Sequence, residues 1–279
     1  MGATVIPFSD VVELNGALSA DDAGRMARAL QRRPALTTAS LKLPRTGKNV
    51  PLVWHAMEKN APSVLAVLLK AGAPDRYVAS EGCTAFQRAA AGHNEALVAL
   101  FEAHRKGGPL SRAGSPGARH RTALAWAIEK LSPGPLPLFV DRWLADLATN
   151  PQPMDSDVGA CLIKSAIHGA SPSLLPRLVA AGVSPSTPPR VRELDPFVVL
   201  VREAEAARYG VPSNDAQRCA TVDEWVDALV SAGAVFPTDI PWGKSREPVA
   251  SALHARFRAA SLAAGLPATP ERPALRPRL

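Results

Sequence analysis

Trp54, Arg88 and Trp126 are the residues of this sequence whose types and spacing most invite a chemical reading. Each lies two residues after an apolar anchor: Leu52, Phe86 and Leu124 in turn. If those anchors occupy one position of successive helices, the three side chains stand side by side, an arginine between two indoles. A guanidinium on an indole face gains cation–π attraction, and Trp and Arg are frequent anchors of protein interfaces. The same spacing admits a plainer reading, in which both indoles bury between helices and Arg88 covers them with its aliphatic stem.

Other constellations carry less. His55, His168 and His254 have no ligand spacing with Cys, Asp or Glu, and His93 sits in a Gly-His corner that suits a structural hydrogen bond. Cys83, Cys161 and Cys219 lie far apart with no CxxC pair, as buried thiols of a reducing compartment do. Gly243-Lys244-Ser245 ends like a phosphate-binding loop, but Thr238 stands where that loop needs its upstream glycine. No nucleophile elbow or carboxylate pair stands out. The expectation is a non-catalytic chain with no catalytic residue, no cofactor and no metal.

The elements that position these residues begin at Gly82–His104, which reads as two short helices with a Gly-His corner. Thr84 can cap the first helix, Ala89 and Ala90 permit close packing, and Gly92 can take the left-handed conformation that ends it. Leu97, Val98, Leu100 and Phe101 give the second helix its apolar stripe. This stretch resembles the ankyrin repeat, with Ala85 and Gln87 in place of the family's Pro and His. A second copy precedes it, from Val50-Pro51-Leu52 into Val64–Ala73. Leu52 and Phe86 are 34 residues apart, close to the roughly 33-residue ankyrin period. The resemblance implies an all-α ankyrin-repeat solenoid of helix-turn-helix repeats, about five in number, with degenerate capping helices.

Residues 1–46 are read as a lead-in, loose to about residue 18, and a capping helix from Ala20 to Arg32 that Ser19 caps. Residues 36–48 are a linker. The repeat domain spans 47–264. Its third copy opens at Thr122 and its fourth at Cys161, with Ser171 and Pro172 starting the second helix. The fifth opens at Asp195, whose carboxylate can cap it, and an insertion at 203–220 precedes a capping box at Thr221 and Glu224. Val249–Ala264 closes the stack. Residues 265–279, rich in Pro and Arg, are expected to be disordered.

Hydrophobic residues make up 47% and aromatics only 5%, which suits helices packed through Ala and Leu. The formal net charge is +7, and the segment 104–121 carries Arg105, Lys106, Arg112, Arg119 and Arg121 without an acid. An acidic partner follows, as does an exposed, mobile loop. Ankyrin proteins bind other proteins through hairpin tips and the concave inner-helix face. The resemblance therefore implies a protein-binding module, such as a bacterial regulator, inhibitor or host-directed effector. Its expected contact residues on that face are Trp54, Met57, Glu58, Arg88, Trp126, Glu129 and Lys130. Glu81 and the five basic loop residues complete the set. Nucleic acid bound by the loop and tail is the second reading. Residues 1–10 lack a basic n-region and an apolar core, Ile6 spoils a myristoylation motif after Gly2, and no apolar run reaches membrane-span length. A cytoplasmic chain, or one delivered into a host cell, is expected.

Overall fold

Polar side chains at corners, rather than helix propensity alone, set where the elements of this chain begin. The computed structural model describes residues 7–42, 47–77, 82–104, 108–111, 121–131, 135–169, 172–187, 189–208, 222–237 and 246–266. Thirteen α-helices and one two-stranded sheet occur among them, so the chain is all-α apart from a short ribbon. It divides into two units, residues 1–123 and 124–279.

The first unit opens with α1 (Phe8–Ala20) and α2 (Ala23–Arg32), followed by a 3₁₀ turn at Pro34–Thr38. Antiparallel strands β1 (Ser40–Lys42) and β2 (Asn49–Pro51) lead into α3 (Leu52–Glu58) and α4 (Pro62–Lys70). α5 (Ala85–Ala91) and α6 (Glu95–His104) complete it. Successive helices pair across short corners. Then α2 lies on α4, α4 on α6, and α3 on α5. Leu18, Met26, Leu65, Leu68, Phe86, Val98 and Phe101 form the core of these contacts.

Each corner is fastened by a side chain. Asp21, in the left-handed region at φ 48°, accepts from the Ser63 and Val64 N–H groups at 3.2 and 2.9 Å. It thereby caps α4, a helix of another pair that has no cap of its own. The side-chain oxygen of Asn60 (φ 51°) accepts from the Asn94 side-chain amide at 2.7 Å, and Asn94 Oδ1 accepts from the Leu97 N–H at 3.1 Å. Thr84 and Gln87 form a reciprocal capping box at the start of α5.

In the second unit α7 (Ala123–Glu129) and α8 (Leu138–Thr149) are followed by α9 (Ser156–Gly169), a 3₁₀ turn at Pro172–Leu174, and α10 (Leu175–Ala180). A 3₁₀ turn at Arg192–Leu194 then precedes α11 (Pro196–Arg208), α12 (Val222–Ser231) and α13 (Glu247–Ala263). α8 packs on α10, α9 on α11, and α12 on α13. Asp195 caps α11 through the Phe197 N–H at 2.9 Å. Phe197, Phe236 and Phe257 interlock near the end of the unit, with ring centroids 4.8 to 5.9 Å apart.

Several expectations need correction. Residues 8–18 are not loose but form most of α1, because Leu14, Ala17 and Leu18 bury against α2. Ser19 lies inside α1, and Asp22 caps α2 by accepting from the Arg25 N–H. The linker at 36–48 holds β1 and leads into β2. In the α5–α6 corner, His93 takes the left-handed conformation (φ 52°) while Gly92 stays near φ −84°. α9 begins at Ser156 rather than Cys161, and α11 continues to Arg208, into the expected insertion. Val64–Leu69 is helical, and the left-handed Gly72 follows the end of α4. Ser171, all of 209–221 with Cys219 and Thr221, and the tail beyond 266 lie outside the described residues.

Candidate interaction surface

α3 and α7 decide what Trp54 and Trp126 can do. Every residue from Leu52 to Met57 is buried, and so is every residue from Ala123 to Ile128. Neither helix presents a side chain to solvent before its last turn. Trp54 is 4% exposed, with its ring edge-on to Tyr77 at 6.1 Å, because the segment after α4 returns across it. Trp126 is 8% exposed. Both indoles are buried, so neither offers the exposed aromatic platform expected from the spacing. Met57 is buried as well. The signal was present in the sequence: Leu-Val-Trp-His-Ala-Met and Ala-Leu-Ala-Trp-Ala-Ile are apolar on nearly every face, the mark of a helix surrounded by protein.

Charged residues remain at the surface of these helices. Arg88 of α5 and Glu58 of α3 approach to 3.8 Å, with side chains 46% and 40% exposed. An exposed pair at that distance is worth roughly 0–1 kcal/mol, so either partner can reorient easily. In the second unit, Lys130 lies 3.8 Å from Glu129, its side chain about half exposed. Arg121 is partly buried, and its carbonyl accepts from the Gln87 side chain at 2.9 Å. Glu81, Arg105, Lys106, Arg112 and Arg119 lie outside the described residues.

The histidines are placed as structural groups. His55 is buried, and its Nε2–H donates to the Leu41 carbonyl at 2.9 Å, tying β1 to α3. Burial holds this imidazole below its ordinary pKa, with Lys59 acting in the same direction against the Leu41 carbonyl and Glu58. His168 of α9 lies 3.4 Å from Glu203 of α11 and, through that hydrogen bond, lowers the carboxyl's pKa against the effect of burial. His254 stacks on Phe236 at 4.6 Å, and partial burial, aided by Arg258, lowers its pKa. Among the described residues, no group of His, Cys, Asp and Glu is arranged to hold a metal ion. Cys83 and Cys161 are buried. No helix among them is long and apolar enough to cross a membrane.

Exposed groups that the spacing did not single out are Phe8 and Val12 on α1, Leu138 on α8, and Leu262 and Leu266 at the end of α13. Compared with known proteins, the chain matches no family model and no curated sequence.

Proposed function

We propose that this chain is a divergent ankyrin-repeat solenoid and that it binds a protein partner without catalysis. The observation that carries the reading is the row of exposed charges on neighbouring inner helices: Glu58 on α3 and Arg88 on α5, weakly paired over a buried apolar base. Such a row offers a partner hydrogen-bonding groups whose mutual pairing costs little to replace. The repeat reading is supported by the helix pairs of each unit and by Ala-Gly corners. Gly72, Gly182 and Gly233 all close a second helix with positive φ. An acidic partner surface suits the net charge of +7.

The test begins with capture of the partner from producing cells and its identification by mass spectrometry, followed by titration. Arg88→Ala should weaken binding by roughly 1–2 kcal/mol while leaving the melting curve in place. If affinity holds and the melting temperature falls, Arg88 is scaffold and the site lies elsewhere. Capture of nucleic acid with a steep salt dependence would replace the protein-binding reading.

A further inference from the structure

The outward face of α1 combines two features found together nowhere else among the described residues. Phe8 is 82% exposed and Val12 is 50% exposed. Spaced four apart, they lie one turn above the other on a single face, which exposed Asn15 and Ser19 continue. Four residues beyond Val12 is Gly16. A Cβ placed there would fall 2.6 Å from Nη1 and 2.8 Å from Cζ of Arg25, reaching over from α2. The missing side chain is therefore the seat on which this guanidinium lies against the α1 backbone.

No carboxylate among the described residues pairs with the Arg25 guanidinium. The acids of α1 are already engaged, Asp10 by Arg33 and Glu13 by Arg32. A partly buried, positioned arginine without a counter-ion gains most from a carboxylate supplied from outside, because the fork of donors is already oriented. The exposed phenyl ring of Phe8, two turns before Gly16 on α1, gains most from apolar cover.

We propose that this face docks a short segment of another protein carrying a large apolar side chain and, about one to two helical turns from it, an Asp or Glu. The apolar side chain lies on Phe8 and Val12, and the carboxylate meets Arg25. Two other occupants fit less well. A bilayer surface is met by helices rich in Lys and Arg on the polar side, whereas α1 presents Asn15 and Ser19 beside the apolar pair and two acids on its flank. A second copy of α1 brings only Asp10 and Glu13, whose carboxylates are engaged. The inference deepens the protein-binding reading and rests on it for the class of partner alone.

The probe is a displayed library of random dodecapeptides panned on the full chain, with recovered peptides resynthesised for titration. Recovered sequences should share an acid close to Leu, Ile, Phe or Trp. Their affinity should fall by about tenfold or more in Arg25→Gln and in Phe8→Ser, and stay unchanged in Arg88→Ala. Gly16→Ala, which displaces the guanidinium without removing it, should give an intermediate loss. Phe8 is exposed and Arg25 only partly buried, and unaltered melting curves will separate binding from folding. Failure to recover such peptides, or binding that survives both substitutions, overturns the proposal. So does Phe8-dependent recruitment to vesicles with about one third phosphatidylserine, or a dimer that Phe8→Ser dissolves. None of these outcomes bears on the Arg88 result, so the two readings fail separately.

Discussion

Two glycines of α9 carry opposite expectations. A Cβ on Gly169 would collide with the carbonyl group of Glu129, where the ends of α9 and α7 meet backbone to backbone. Backbone cannot swing aside as a side chain does, so Gly169→Ala should destabilise on the order of 1–3 kcal/mol. At Gly159 the added methyl meets Val183 and Met154 at 3.5 and 3.7 Å, which is ordinary contact. Gly159→Ala should therefore stabilise by about 0.5–1 kcal/mol through helix propensity. Urea titrations of the pair must move in opposite directions. His55 adds a pH dependence. Its folded pKa lies below the ordinary imidazole value of 6.5 because burial disfavours the cation. Well above that value both folded and unfolded chains hold it neutral. As pH falls through it, the unfolded chain takes up a proton first, so stability drops until the folded imidazole is also charged. His254 acts in the same direction. His55→Gln keeps an N–H for the Leu41 carbonyl and should remove part of this acid loss, leaving the His254 share. Denaturation midpoints at about pH 7.5 and about pH 5 measure it.

At the scale of elements, the corners explain both what the residues foretold and what they hid. Asn60 and His93, the left-handed residues of successive corners, are 33 residues apart, whereas Asp21 precedes Asn60 by 39. The regular interval made α3–α6 legible. The longer one carries the β1–β2 ribbon, and behind this broken period only α2 was legible, as a capping helix, while α1 stayed hidden. α1 also lacks a side-chain cap, since Pro7 precedes it, so it offers no start signal of the usual kind. The misplacement of Trp54 and Trp126 had another cause. Spacing gives a side chain's place on its own helix but not the segment that returns over it, as Ala73–Tyr77 does over Trp54. Asp21 gives this level its test. Asp21→Ala removes both acceptors for α4 and puts a Cβ-bearing residue without a local hydrogen bond at φ 48°, costing about 1–2 kcal/mol. Asp21→Asn retains an acceptor and tolerates the left-handed region, so it should lose much less. Equal melting temperatures for the two variants would show that the α4 cap contributes nothing.

For the whole molecule, stability should be divisible along the chain. Chains built from paired helices draw their stability from each pair and its immediate neighbours, so a run of complete pairs can fold without the rest. Residues 1–123 contain three such pairs, α1–α2, α3–α4 and α5–α6, linked by the α2–α4–α6 and α3–α5 contacts. They also hold the remote corner bonds of Asp21 to α4, Asn60 to Asn94, and Gln87 to the Arg121 carbonyl. Leu18, Met26, Leu65, Leu68, Val98 and Phe101 of these helices are buried. The fragment 1–123 should therefore give a helical circular-dichroism spectrum and a single cooperative urea transition. Its midpoint should respond to Asp21→Ala as the full chain does, because the α4 cap is complete within it. A fragment that is unstructured, or that melts without cooperativity, would mean that three pairs do not bury enough apolar surface to offset the entropy of ordering them.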